Sequence, residues 1–165
     1  MARSLSCRRL IRRMRDTSGG SLVEAALITP LLLLLTFGIM EFATMFYVYL
    51  ALENGVSQAT RYGVTGNLKD DPMNPGTPLN RTGSIMLAMR QATPTLTIPD
   101  AAFSFNHMAQ GGNVWLGGVG GPDEIDKVTV TYTWTFFNPV LWPFFNNGQI
   151  TLSVDSSMKN ESRWQ

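Results

Sequence analysis

Between Glu24 and Glu41 lie sixteen residues without a charge, "AALITPLLLLLTFGIM", relieved only by Thr29, Pro30, Thr36 and Gly38. As a helix this run covers roughly 24 Å at about 1.5 Å per residue, short of the bilayer's hydrocarbon core of about 30 Å. Apolar character resumes after Glu41 with "FATMFYVYLAL", and residues 25–52 as one helix reach roughly 42 Å. The pattern predicts a single helix that crosses a membrane and projects beyond it. Phe46, Tyr47 and Tyr49 then fall where interfacial aromatic belts lie. Pro30 removes the hydrogen bond to residue 26 and predicts a gentle bend, which membrane helices tolerate.

Charge is distributed unevenly about this run. Of 13 basic and 12 acidic side chains, residues 1–19 hold six arginines (Arg3, Arg8, Arg9, Arg12, Arg13, Arg15) and one acid, Asp16. The remainder carries seven basic and eleven acidic groups. A basic head before an apolar span predicts a cytoplasmic N-terminus and an exported body. Nucleic acid is not the expected partner, because its binders line a folded surface with basic residues. A removed secretory signal needs a small-x-small cleavage site of the A-x-A kind, and "TFGIMEFATMF" contains no A-x-A. The single cysteine, Cys7, excludes an intrachain disulfide.

Beyond the span, Phe42, Met45, Tyr49, Leu52, Val56, Ala59 and Gly63 follow the alternating spacing of an amphipathic stripe, so the helix is expected from near Ser21 to about Tyr62. Gly63 and Gly66 are its natural stops. "NLKDDPMNPGTP" reads as a solvated, turn-rich loop; its acidic pair lacks the spaced oxygen ligands of a calcium site. "TGSIMLAMRQA" reads as a short helix with Ile85, Met89 and Ala92 on one side, and "TLTIPD" and "AAFSFNH" as short strands. "GGNVWLGGVGGP" lacks the ending of a phosphate-binding loop and reads as a flexible hairpin or loop. In "DKVTVTYTWTF", Val128, Val130, Tyr132, Trp134 and Phe136 alternate with threonines, the period of a half-buried strand. "QITLSVD" repeats it with Ile150, Leu152 and Val154.

The connection between these strands, "FNPVLWPFFNNG", holds Phe137, Leu141, Trp142, Phe144 and Phe145. Loops are normally polar, so an apolar one either packs against the core or contacts something else, such as a subunit or a membrane surface. Catalysis has no visible constellation: His107 is the only histidine, with no nucleophile or carboxylate partner by spacing. No cofactor or metal is expected. The sequons at Asn80 and Asn160 matter only in a eukaryotic secretory pathway. The expected architecture is α+β: a basic leader (1–19), a transmembrane and projecting helix (20–66), and an exported body with a small antiparallel sheet (67–165).

Three stretches taken together resemble the TadE-like minor pseudopilins of the bacterial tight adherence (Flp-type) pilus machinery: "GGSLVEAALITPLLLLLTFGIMEF", "MFYVYLALENGVSQATRYGV" and "VTVTYTWTFFNPVLWPFF…ITLSVDSSMKNE". The resemblance implies a non-enzymatic assembly protein of the bacterial inner membrane. Its implied partners are a prepilin peptidase, other pilins or pseudopilins, the pilus assembly platform and membrane lipid. It implies cleavage between Gly19 and Gly20, which leaves Glu24 as the fifth mature residue; Ala25 departs from the aromatic residue usual there. Glu24 would then pair with the new α-amino group at Gly20, four residues away on the same helical face, or with that of a neighbouring subunit. The alternative is an uncleaved single-pass protein whose exported body binds an envelope partner through the 137–145 loop.

Overall fold

The computed structural model of the chain describes residues 18–164. The long helix, α1, is Ser18–Gly63, with Pro30 inside it. Leucine-rich composition favours it locally, and by length and composition it is able to cross a membrane. The division between the two units of the chain falls within α1, between Met40 and Glu41. In the first unit the apolar side chains from Leu22 to Met40 are exposed. A helix apolar all round is stable only when lipid or protein covers it, and that is the physical argument for a bilayer around this segment.

The second unit begins with the rest of α1. It continues through a two-stranded ribbon, β1 (Asp70–Asp71) and β2 (Asn74–Pro78), then helix α2 (Arg81–Ala92). Four strands follow: β3 (Phe103–Met108), β4 (Leu116–Gly117), β5 (Ile125–Thr135) and β6 (Gln149–Lys159). They form one antiparallel sheet in the order β4-β3-β5-β6. The fold class is therefore α+β, as the sequence implies. β5 and β6 pair along their full length, from Ile125 opposite Lys159 to Thr135 opposite Gln149.

The core lies between the α1 stripe, α2 and one face of the sheet. Met45, Val48, Leu52, Val56 and Ala59 of α1 meet Ile85 and Met89 of α2, Val128, Val130, Trp134 and Phe136, and Leu152 and Val154. Small residues set the helix–helix distance. A Cβ on Gly55 would lie 2.5 Å from the Thr93 methyl, and one on Gly63 would lie 2.9 Å from the Ile85 terminal methyl.

A buried ionic node ties the elements together at one end of the sheet. Arg81 Nη2 donates to Asp126 Oδ2 at 2.5 Å, to the Gly63 carbonyl at 3.0 Å and to Asn160 Oδ1 at 3.0 Å. Nη1 donates to the Gly120 carbonyl, and the guanidinium lies 4.1 Å from the Trp164 ring centroid. Asp126 Oδ1 accepts from the Gly120 N–H at 2.6 Å, and Asn160 Nδ2 donates to the Gly121 carbonyl at 2.8 Å. Burial pushes the guanidinium pKa below the ordinary arginine value, with the attraction of Asp126 working against it.

Three local expectations change. The segment 67–78 contains the β1–β2 ribbon rather than only loop: Asp71 Oδ1 accepts from the Met73 N–H and Gly76 takes φ +88, turn chemistry that brings the short strands together without apolar alternation. "TLTIPD" is not a strand. Pro94 precedes it and Pro99 lies within it, and its buried Ile98 is held by Arg90, which donates to the Ile98 carbonyl through Nε and Nη2. Of the α1 stripe, Met45, Leu52, Val56, Ala59 and Gly63 are buried, Phe42 and Tyr49 stand at its edge, and Glu41 and Val48 are buried in addition. Both sequon asparagines have structural duties, since Asn80 Oδ1 caps α2 through the Gly83 N–H at 2.7 Å.

Candidate functional site

Gly19 and Gly20 lie among the first described residues of α1, are exposed, and have nothing within 4 Å of where a Cβ would stand. Each glycine weakens helix by about 1 kcal/mol relative to alanine. Glu24 is exposed further along the same helix. The first described turn of α1 contains no acidic residue. The arginine-rich head and Cys7 lie outside the described residues.

The aromatic connection forms two 3₁₀ turns, Pro139–Phe144 and Asn146–Gly148. Asn138 Oδ1 accepts from the Val140 N–H at 3.0 Å to start the first. Trp142 Nε1 donates to the Phe136 carbonyl at 2.9 Å, and Gly148 at φ +76 leaves room for that indole, which a Cβ would approach to 2.3 Å. The five residues singled out from the sequence then divide. Phe145 stacks on Phe136 with centroids 4.4 Å apart and meets Phe42 edge-on at 6.2 Å, and Leu141 is partly buried against the core. Phe137 and Phe144 stand 74% and 77% exposed, with Trp142 partly so.

One residue with a structural part here had no sequence signal beyond its charge. Glu41 is 7% exposed, and its Oε1 accepts from the Phe137 N–H at 2.5 Å. This fixes the start of the connection to α1. A buried carboxylate of this kind is retained only when hydrogen-bonded. Glu41→Ala is expected to cost about 1–3 kcal/mol, the penalty for an orphaned buried donor. Glu41→Gln, which keeps an acceptor oxygen, is expected to cost less. Thermal unfolding of the two variants in detergent distinguishes them.

Chemistry at the other polar groups is sparse. His107, in β3, has Nδ1 3.2 Å from the Gly118 carbonyl. Among the described residues no group of three His, Cys, Asp or Glu side chains is placed to hold a metal ion.

No curated protein and no solved structure matches the chain. A family model does match, over residues 19–61, and it covers the helix from the glycine pair almost to its end. That match suggests a structural or assembly component associated with the Tad pilus, and the apolar helix suggests single-pass membrane anchoring. The matching family is that of the TadE-like proteins, and it is to them that residues 19–61 of the long helix are similar.

Proposed function

We propose that the protein is a minor pseudopilin-like component of tight adherence pilus biogenesis, held in the bacterial inner membrane with its N-terminus cytoplasmic and its body exported. The observation that carries this reading is the TadE-like match beginning at Gly19, on a helix long and apolar enough to span a bilayer. A prepilin peptidase cuts between Gly19 and Gly20, where two successive glycines weaken the helix. The cut removes all six leader arginines, each of which resists passage through the bilayer centre by roughly 2.5–3.5 kcal/mol. It also creates an α-amino group at Gly20. Glu24 pairs with that amine, or with the one on an adjacent subunit, and the helix joins other pilins or pseudopilins on the assembly platform.

Intact mass measured after co-production with a prepilin peptidase tests the first step. The expected product begins at Gly20, and Gly19→Ala is expected to keep the leader. Glu24→Ala is expected to be cut normally yet to fail in assembly, since the pair forms only after the cut. A second reading, an uncleaved single-pass protein that binds an envelope partner, draws on the exposed Phe137 and Phe144. Full function with the leader retained, and with Gly19 and Glu24 both replaced, would select it.

A further inference from the structure

We infer that the connection 137–144 is a second membrane contact, inserted into the lipid headgroup–acyl boundary beside the point where α1 leaves the bilayer. The inference rests on the membrane-spanning part of the proposed function and not on cleavage.

Chain length places the contact. About twenty residues are needed to cross the hydrocarbon core, so a span starting at Ala25 ends near Thr44. Glu41 therefore falls short of the exit. An uncovered carboxylate at that depth is unfavourable, and this one is covered: it is buried, and its Oε1 takes the Phe137 N–H at 2.5 Å. That bond holds the 137–144 connection at the depth of residue 41.

Charge distribution within the second unit gives the same orientation. From Val128 through Val154 there is no ionisable acid or base of the Asp, Glu, Lys, Arg or His kind, and none from Phe42 through Leu52. The ion pairs Arg81–Asp126, Lys127–Asp155 and Lys159–Asp123 all lie outside those stretches. Since β5 and β6 are joined by the 136–148 connection, that end of the sheet is the uncharged end. It carries exposed Phe137, Val140, Trp142 and Phe144 with the amides of Asn138, Asn146 and Asn147 among them. Apolar and indole side chains mixed with neutral hydrogen-bonding groups suit the interface, where one side is hydrocarbon and the other is wet. A protein partner would meet the same aromatics, but nothing about a protein partner requires them to be tethered at the depth of Glu41.

The test uses the full chain in vesicles of phosphatidylethanolamine and phosphatidylglycerol. Cys7→Ser is combined in turn with Phe144→Cys, Val140→Cys, Leu33→Cys or Met73→Cys, all exposed positions, and each cysteine carries an environment-sensitive fluorophore. Lipids spin-labelled at shallow or deep positions serve as quenchers. The label at 33 is expected to be quenched most by deep spin labels. Those at 140 and 144 should be blue-shifted and quenched most by shallow ones, and the label at 73 should emit as in water. Water-like emission at both 140 and 144, with 33 quenched from the deep position, overturns the inference and leaves the span intact. If 33 itself escapes quenching, the span fails and the inference falls with it. Processing at Gly19 is read separately by mass.

Discussion

Arg81→Met lowers the stability of the second unit by about 3–5 kcal/mol, the usual cost of leaving a buried charge without its partner. Asp126 is the group left behind: its side chain is 4% exposed and faces the guanidinium at 2.5 Å. Burial lowers the Arg81 pKa against the pull of Asp126, and buried ion pairs are in general an expensive way to fill space. Breaking half of it is worse than never having had it. The double variant Arg81→Met with Asp126→Leu is therefore expected to be clearly more stable than Arg81→Met alone. Recovery stops short of complete, because the Gly120 N–H and the Gly63 and Gly120 carbonyls lose their partners. Urea midpoints for the three proteins decide it. Equal midpoints for single and double variants would assign the loss to those hydrogen bonds and not to the stranded charge.

Phe136→Ala is the second large effect, at about 3–5 kcal/mol for truncating a fully buried aromatic side chain. Phe136 is 1% exposed and sits at the centre of a three-ring group. Phe145 stacks on it, and Phe42 meets it edge-on at 5.9 Å. Its carbonyl also receives the Trp142 indole N–H. Removing the ring therefore empties a core site and loosens the connection that the aromatics brace. Beyond a lower melting temperature, faster proteolysis between residues 137 and 148 is expected. Phe144→Ala, at an exposed position, is expected to change the melting temperature little, which separates the bracing rings from the outward ones.

What could be read in advance follows the range of the interactions. α1 and the β5–β6 pair carry their periodicity in consecutive residues, so their positions were legible from the stretches "LLLLLTFGIM", "KVTVTYTWTF" and "QITLSVD". The β1–β2 ribbon was not, because Asp71, Asn74 and Gly76 build it from side-chain and glycine turn chemistry without any apolar alternation. "TLTIPD" reads as extended because of its threonines and isoleucine, but prolines before and within it and the reach of Arg90 hold it out of the sheet. The aromatic connection was visible as an anomaly. Which rings turn inward depends on Phe42 and Phe136, and the sequence spacing does not state it. Glu41 was visible only as a charge, since its partner is a backbone N–H 96 residues away. The ionic node is hidden in the same way: Arg81 meets Asp126 and Asn160 across 45 and 79 residues.

Those separations set an order of events during synthesis. The buried face of α1 is made early, whereas β6, the last strand to pair beneath it, is not available until the chain has been extended to Lys159. Closing such long loops is slow relative to local helix formation. A nascent chain therefore carries Leu52, Val56 and Ala59 without their sheet for most of its elongation, and the latch at Arg81 engages only when Asn160 and Trp164 arrive. Closure of this unit consequently waits for Lys159, Asn160 and Trp164, and the interval before it is when a chaperone has most to cover.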